Sequence, residues 1–114
     1  MMSTVDAVLQ ALANRRRRLA VYCLSEHRSM TLADLAEQVV ESEGTALHHA
    51  DAEQTADVYF SLYHNHVPTL EDAGLVRYSQ QRDLVSSTEQ LRPLVLEARK
   101  EMEAIVSNSQ EGSV

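Results

Sequence analysis

The stretch His66-Val67-Pro68-Thr69-Leu70-Glu71-Asp72-Ala73-Gly74-Leu75-Val76 marks the place where a helical pattern gives way to a strand-like one. Gly74 suits the position just past a helix end, because glycine enters the left-handed backbone region without a Cβ penalty. Leu75 and Val76 then begin a short apolar run of the kind that forms strands. The stretch therefore predicts a helix that stops at a glycine and passes directly into a strand.

The helix that ends here is predicted to run from about residue 55 to residue 72. Tyr59 and Tyr63 lie on its apolar face at helical spacing, and the opposite face is polar. Pro68 falls inside the pattern and removes the backbone bond to the carbonyl of His64. Because the pattern continues beyond Pro68, we expect a kink there and not a stop.

Residues 75–86 have the pattern of a β-hairpin. Strands are predicted at 75–78 and 83–86, and the polar loop 79–82 joins them. The sequence therefore predicts a β-hairpin directly after the helix that ends at Gly74.

The last amphipathic helix is predicted over 87–106. Pro93 could instead be its first helical residue, with residues 89–92 as a turn before it, because a missing N–H is tolerated at that position. Its apolar stripe is longer than a domain of this size covers, so we expect the helix to pair with its symmetry mate in a homodimer. The alternative is that it packs back on its own domain. Residues 107–114 are expected to be a flexible tail after a domain of residues 1–106. The residues expected at the dimer interface are Leu91, Leu94, Val95, Ala98, Met102 and Ile105.

The first third of the chain contains two further helical patterns and a short strand. Residues 5–26 follow helical spacing, and Asn14 can cap a second segment, so the helix is expected to break or bend there. The run Arg28-Ser29-Met30 is predicted to add an edge strand to the hairpin. Thr31 and Asp34 then have the spacing of a capping box at the start of the next helix.

The charge balance is strongly acidic and poor in lysine. Seventeen acidic residues oppose 10 basic ones, for a net charge of −7, and Lys100 is the only lysine. This composition is typical of proteins from extreme halophiles, although an ordinary acidic protein is the alternative. An acidic surface argues against nucleic acid as a partner. In molar salt this argument weakens, because the screening length falls to roughly 3 Å.

Length and cysteine content favour one cytoplasmic domain. A chain of 114 residues is long enough for a single core. It begins without the basic flank and apolar run of a signal peptide, and no apolar stretch approaches the roughly 20 residues that cross a membrane. Cys23 is the only cysteine, which excludes an intrachain disulfide and fits a reducing compartment.

The order of three motifs along the chain is more specific than any one of them. A-L-A-N-R-R-R-R begins at Ala11, T-L-A-D-L-A-E-Q-V at Thr31, and H-V-P-T-L-E-D-A-G-L-V at His66. Together they resemble the three helices of winged helix-turn-helix transcription regulators of the ArsR-like and PadR-like groups, although Arg15 stands where those proteins usually have proline. Acidic, lysine-poor chains with these motifs also look like a haloarchaeal winged-helix family of unassigned function.

The resemblance implies a mainly α-helical fold with a small β-wing, and a homodimeric, sequence-specific DNA-binding regulator. The recognition helix, at about 55–72, would enter the major groove, and the wing, at 75–86, would contact the flanking backbone. Two copies would present two such helices to a palindromic site. The residues implied in DNA contact are Thr55, Ser61, His64 and Asn65 on the helix, Arg77, Gln81 and Arg82 on the wing, and Arg16.

The same residues also suit a protein that does not bind DNA. The polar helix face is what a solvated surface looks like, and it contains no arginine or lysine. The arginines at 15–18 cover most of a helix circumference, so some of them are expected to pair with nearby acids. The alternative function is therefore a winged-helix module for protein–protein contact without DNA binding.

No pattern of catalysis or of cofactor binding is present. The chain lacks a P-loop, a dinucleotide fingerprint, an H-E-x-x-H motif and a nucleophile elbow. Its five histidines have no zinc-site spacing and are expected to be solvated or in the core. Tyr22 and Cys23 fall along the apolar stripe of the first helix, which predicts a buried, inert thiol. The sequence identifies no effector.

Overall fold

The computed structural model describes residues 2–44 and 52–112, which form helices around one small antiparallel sheet. The mainly α-helical class is therefore confirmed. The continuous stretch that contains α4, a π-helical segment and α5 is called the 52–72 run. The elements are, in chain order, α1 (Thr4–Ala11), α2 (Arg15–His27), β1 (Ser29–Thr31), α3 (Leu32–Ser42), α4 (Ala52–Ser61), the π segment (Leu62–His66), α5 (Val67–Asp72), β2 (Val76–Ser79), β3 (Leu84–Ser87) and α6 (Leu91–Gly112).

Side-chain caps set where α2 and α3 begin. Asn14 has extended backbone, and its side chain accepts a hydrogen bond from the N–H of Arg17 at 3.2 Å. Thr31 does the same for α3, because its hydroxyl accepts from the N–H of Asp34 at 3.1 Å. Each bond satisfies an N–H that the first turn of a helix leaves unpaired. The predicted break at Asn14 is confirmed.

Arginines of α2 close the other end of α1. Arg17 donates through Nε to the carbonyl of Ala11 and through Nη2 to that of Gln10 at 3.4 Å. Arg18 Nη1 donates to the carbonyl of Leu12 at 2.8 Å. Carbonyls at a helix C-terminus lack intrahelical partners and carry partial negative charge, so cationic donors stabilise them.

The sheet has the strand order β1-β3-β2, with both pairs antiparallel, and the expected edge position of β1 is confirmed. Val85 lies at its centre, opposite Met30 on one side and Tyr78 on the other. All three strands begin one residue later than predicted. As a result Asp83 belongs to the hairpin turn, with φ of 50°, and not to the strand. Aspartate is one of the few residue types besides glycine that adopts this left-handed backbone at modest cost.

The irregularity expected at Pro68 lies just ahead of it, as the π segment. The N–H of Val67 donates to the carbonyl of Leu62, five residues back. Pro68 is the second residue of α5, and the wider turn lies where the Pro68 ring would otherwise clash with the carbonyl four residues back. The chain therefore stays helical through the proline.

The glycine stop at the end of α5 has the two bonds of a Schellman motif. Gly74 has φ of 81°, its N–H donates to Glu71 O at 2.9 Å, and the N–H of Leu75 donates to Leu70 O at 3.0 Å. Leu70 and Leu75 are both fully buried, which supplies the hydrophobic contact that accompanies this motif. The predicted helix end and the turn into the sheet are confirmed.

The C-terminal helix begins between the two predicted starts, residue 87 and Pro93, and it ends later than predicted. α6 begins at Leu91, so Pro93 is its third residue, still within the first turn where no intrahelical N–H bond is lost. It continues beyond Val106 to Gly112, so the residues 107–112 expected in the flexible tail have helical backbone. Leu91 and Ala98 are buried in the core of the same chain. The first half of α6 thus packs on its own domain.

The core joins apolar residues from the helices and the sheet. Leu24, Leu35, Leu62 and Val85 are fully buried in it. Cys23 is also buried there, and this burial raises the pKa of its thiol, as expected for an inert cysteine. Tyr22 is exposed and not part of the buried stripe. No helix in the described residues is both long and apolar enough to cross a membrane.

Replacing Gly74 with alanine should lower the free energy of unfolding by about 1 kcal/mol, because an L side chain at this left-handed φ is strained. The added Cβ would meet only Leu94 Cδ1 at 3.9 Å, so the cost comes from the backbone and not from a clash. Gly74→Asn is the matched control, since asparagine tolerates this conformation better. Urea unfolding measures both variants, and equal losses would contradict the backbone explanation.

Candidate nucleic-acid interface

The predicted DNA-contacting residues of the helix differ in their accessibility. His64 and Asn65 are exposed on the π segment, whereas Thr55 and Ser61 are half-buried on α4. The main-chain carbonyl of Asn65 accepts from the Thr69 hydroxyl at 2.8 Å. The Asn65 side-chain amide, however, has no hydrogen bond within the described residues. His64 and Asn65 are thus the side chains of this set that remain available to a partner.

Aromatic rings form much of the exposed surface beside these residues. Phe60 is 58% exposed and stacks on His64, with ring centroids 6.3 Å apart and planes at 14°. Tyr63 meets His64 edge to face, with centroids 4.9 Å apart. The His64 ring thus packs against two aromatic rings on the helix surface. Helical spacing did not predict that Phe60, next to Tyr59 of the apolar face, is exposed.

One carboxylate of the hairpin turn attaches the hairpin to the 52–72 run. Asp83 Oδ1 accepts hydrogen bonds from Tyr78 Oη at 2.7 Å and from Tyr59 Oη at 3.2 Å. We call these three side chains the Asp83 clamp. Tyr78 belongs to β2 and Tyr59 to α4, so the clamp connects the sheet with the helical run that carries His64 and Asn65. Hydrogen bonds to an ionised acceptor are stronger than neutral ones.

Burial and then the Asp83 carboxylate raise the pKa of both clamp tyrosines above the ordinary tyrosine value. The two hydroxyls therefore stay protonated at any physiological pH and act as donors. Because each hydroxyl has one proton, both are committed to Asp83. The two tyrosine hydroxyls are thus fixed donors of the clamp.

Two further bonds hold the hairpin in place. The main-chain N–H of Tyr78 donates to Glu71 Oε2 at 3.1 Å, and Gln80 Nε2 donates to Tyr63 Oη at 3.4 Å. The Tyr63 and Tyr78 rings also meet edge to face, with centroids 6.0 Å apart. Helix and hairpin are therefore joined along their length by side chains from both elements. The sequence did not predict these contacts. The one feature that could have indicated them is Asp83, because aspartate favours turns and stands here at the end of a polar loop.

The polar side chains predicted on the hairpin are exposed. Arg77 lies on β2, and Gln81 and Arg82 lie in the turn. Neither arginine has an ion-pair or hydrogen-bond partner among the residues that the structure describes. Both are free to meet an anion such as a DNA phosphate.

Arg16 is already engaged within the chain. Its Nε donates to Glu43 Oε1 at 2.7 Å and its Nη2 to Oε2 at 3.2 Å, a two-bond pairing between the start of α2 and the end of α3. Such a fork geometry directs both donors at one carboxylate. The phosphate contact by Arg16 stays a prediction, and this pairing competes with it.

His66 is buried next to the Arg16–Glu43 ion pair. Nη1 of Arg17 lies 3.3 Å from Nδ1 of His66. Because a guanidinium only donates, His66 Nδ1 is the acceptor and the ring is neutral with its proton on Nε2. Burial is the main cause of a lowered pKa of His66, and the charges of Arg17 and Arg16 lower it further, against a smaller opposing effect of Glu43. This histidine therefore belongs to the core and not to the polar face.

Acidic and basic groups are unevenly placed around this region. Glu53 and Asp57 are exposed on α4, and Glu71 and Asp72 on α5. The 52–72 run itself contains no arginine or lysine. The exposed arginines closest along the chain are those of the hairpin. Any contact of this surface with an anion would therefore depend on the hairpin, and the helix would contribute neutral polar groups.

The expected dimer face divides into two parts. Leu91 and Ala98 are buried within the same chain, and Leu94 and Val95 are half-buried against its core. At these four positions, α6 therefore packs on its own domain, which was the alternative to a dimer interface. Met102 and Ile105 are exposed, as is Val106 beside them. Dimerisation stays a prediction, and Met102 and Ile105 are the residues of the predicted interface that are exposed for it.

No cluster of three or more histidine, cysteine, aspartate or glutamate side chains suited to a metal ion occurs in residues 2–44 and 52–112. His48 and His49 lie outside the described residues. His64 and His66 occupy different environments, since the first is exposed and the second is buried on Arg17.

Removing one donor of the Asp83 clamp should destabilise the protein and loosen the hairpin. We expect Tyr78→Phe to lower the free energy of unfolding by about 1.5 kcal/mol, the cost of a lost hydrogen bond to a charged group. Urea unfolding and hydrogen exchange of the β2 and β3 amides measure the two effects. Tyr22→Phe is the matched control, because the exposed Tyr22 hydroxyl has no hydrogen bond in the described residues. Equal behaviour of the two variants would contradict the clamp.

Stability should fall as the pH drops below about 6.5, the ordinary pKa of histidine. Since the folded-state pKa of His66 is lowered, the unfolded chain takes up a proton in this range before the folded one does, which favours unfolding. The slope from one such group is at most about 1.4 kcal/mol per pH unit. Denaturant unfolding from pH 8 to about pH 5.5 measures it. The His66→Gln variant should lose this pH dependence of the free energy of unfolding, and the His64→Gln variant should keep it. If the slope survives in His66→Gln, His66 is not its cause.

Comparison with known proteins gives one family. A search of curated proteins and of solved structures gave no match to this chain. A protein-family model described as a domain of unknown function (DUF7344) matches residues 9–86, from α1 into β3. The match therefore includes the capped helices, the 52–72 run and the clamped hairpin, but leaves out α6. Because it covers more than half of the 114 residues, the chain belongs to the DUF7344 family of unknown function.

Proposed function

We propose that this protein is a sequence-specific transcription regulator that binds double-stranded DNA as a homodimer. The 52–72 run would lie in the major groove, where Asn65 and His64 meet base edges. The hairpin would lie on the flanking backbone, where Arg77 and Arg82 meet phosphates. The protein would act in the cytoplasm, without a cofactor and without catalysis.

The observation that carries the proposal is the Asp83 clamp. A base-reading helix and a phosphate-binding hairpin need a fixed relative position, because phosphate contacts set the register in which side chains meet base edges. Asp83 fixes that position through Tyr59 on the helix and Tyr78 on the strand. The exposed polar groups of both elements are then parts of one rigid unit.

The resemblance to winged helix-turn-helix regulators gives independent support. Its three motifs fall on α1 and α2, on α3, and on the end of the 52–72 run, in the order that the family has. The small three-stranded sheet is compatible with a winged-helix-like arrangement. What supports the proposal is that the chain resembles these regulators in its motifs and its architecture. The contacts with DNA themselves are proposed.

The second half of α6 supports the homodimer. Met102, Ile105 and Val106 are exposed beyond the part of α6 that packs on the domain. A second copy, related by a two-fold axis, would cover these side chains with the same side chains of its own α6. Such a dimer would also present two 52–72 runs to the half-sites of an inverted repeat.

One observation favours the alternative, a protein–protein interaction module. Phe60 is 58% exposed in the middle of the 52–72 run, and Asp57 is exposed one turn before it. Exposed aromatic residues are enriched at protein interfaces, whereas carboxylates on a groove-facing surface repel phosphate. Under this alternative Phe60 would enter a pocket of a partner protein.

Selection from random double-stranded DNA in molar KCl tests the proposal against its alternative. The acidic, lysine-poor composition is the reason for this salt, and a second selection at about 0.2 M KCl, where DNA binding is less weakened by salt, controls for it. We expect enrichment of an inverted repeat whose half-sites lie about one helical turn apart. A flat selection at both salt concentrations, from protein that remains folded, would refute the DNA proposal and favour the interaction module.

Asn65→Ala should weaken binding to the selected site by roughly 1–3 kcal/mol and leave binding to random DNA almost unchanged, because a base contact carries sequence information. Arg82→Gln should weaken both, as loss of a phosphate contact does. Tyr22→Phe is the control, because Tyr22 lies on α2, outside the 52–72 run and the hairpin, and this variant should leave DNA affinity within about twofold. Fluorescence anisotropy measures all three. Equal loss on both DNAs for Asn65→Ala would exclude base reading by this residue.

A further inference from the structure

A surface groove lies between α2 and α6, away from the groups proposed to contact DNA. Val21 and Tyr22 form one wall, and Val95 and Leu96 form the other. Tyr22 is 65% exposed and Leu96 is 53% exposed, so two large apolar side chains face solvent across it. We call this cavity of about 550 Å³ the α2–α6 groove.

A polar cavity of about 540 Å³ continues from this groove towards the sheet. Ser25, Leu91 and Arg92 line both cavities, which makes them neighbouring parts of one depression. The polar end adds Arg28 and Glu89 to the lining. One end of the depression is therefore apolar, and the other end contains charged and hydroxyl groups.

The residues that line the depression are net positive, whereas the whole chain is net negative. Arg18, Arg28 and Arg92 face a single acid there, Glu89. The chain overall has 17 acidic residues and 10 basic ones. A local excess of arginine on a protein of net charge −7 is the complement of a negatively charged occupant.

Two of these arginines have unused donors. Arg18 donates to the carbonyl of Leu12, but Arg28 and Arg92 have no side-chain partner in the described part of the chain. The hydroxyls of Ser25 and Thr88 donate to main-chain carbonyls and so have no proton left for a ligand. Recognition of an anion at the polar end would therefore come from Arg28 and Arg92, whose planar guanidiniums match a carboxylate.

We propose that the α2–α6 groove binds a small amphipathic carboxylate. Its apolar part lies between Tyr22 and Leu96, and its carboxylate pairs with Arg92 at the junction of the two cavities, with Arg28 as a second donor. The volume is within the range of roughly 300–1,000 Å³ typical of small-molecule sites. Ser87 of β3 lines the polar end, but Tyr22, Leu96, Arg92 and Arg28 all lie outside the hairpin and the 52–72 run. The proposal therefore does not depend on the proposed binding of DNA.

Octanoate and octanamide are the probes, because they have the same apolar chain and differ in charge. Titration of the ¹⁵N-labelled full chain, followed by amide chemical shifts, should show saturable octanoate binding with shifts at Tyr22, Arg92 and Leu96. Octanamide should bind at least about tenfold more weakly, since a charge-assisted hydrogen bond is lost. Equal affinity for the two probes, or octanoate shifts that do not saturate, would overturn the proposal.

The variant Arg92→Gln should weaken octanoate about tenfold and leave octanamide unchanged. Arg99→Gln is the matched control, because Arg99 lies on the same helix, is exposed, pairs with Glu103, and does not line this groove. Both side chains are exposed, so neither variant removes core contacts. An Arg92→Gln protein that binds octanoate as tightly as the Arg99→Gln protein would refute the role of Arg92.

Sedimentation velocity distinguishes the ligand from a second copy of the chain as the occupant. With the proposed ligand site, the sedimentation coefficient of the Tyr22→Ser variant should equal that of the unchanged chain, while its octanoate affinity falls. If Tyr22→Ser instead dissociates a dimer, the groove is a subunit interface and the proposal is overturned.

Discussion

Most of the helical arrangement depends on the contacts that the guanidinium of Arg17 makes with α1 and with His66. It donates to carbonyls at the end of α1, lies in the first turn of α2, and reaches Nδ1 of the buried His66 in the π segment. Three helical elements are thus held by one side chain that supplies charge where α1 leaves unpaired carbonyls. A neutral His66 is a condition of this contact, because a protonated ring would have no acceptor for Arg17.

A second constraint, the Asp83 clamp, connects this helical body to the sheet. The left-handed backbone of Asp83 directs its carboxylate back to two tyrosine hydroxyls, one on α4 and one on β2. The hairpin therefore cannot move independently of the 52–72 run without breaking charge-assisted bonds. For a DNA-binding protein this rigidity would fix the distance between groups that read bases and groups that hold phosphates. For an interaction module it would fix the shape of the surface around Phe60.

The arginines fall into two groups, and this division organises the surface. Arg16, Arg17 and Arg18 are bound to a carboxylate or to helix-end carbonyls, so the only run of basic residues in the sequence is largely structural. The arginines with no partner in the described residues lie mainly on the hairpin and beside the α2–α6 groove. Places where an acidic protein leaves cationic donors unpaired are places where an anion can bind. Among the described residues, the hairpin and the surroundings of the α2–α6 groove both meet that condition.

The sequence alone determined where helices begin and end. Asn14 and Thr31 cap helices, and Gly74 ends one, because each effect depends on a residue and its neighbours within four positions. Tertiary structure decided the rest. Asp83 meets Tyr59 from 24 positions away and Arg17 meets His66 from 49, distances at which no periodicity records a partner. Packing of α6 on the domain likewise buried Leu91 and Ala98 and left Tyr22 exposed, since which side of an apolar stripe is covered depends on the neighbouring helix and not on spacing.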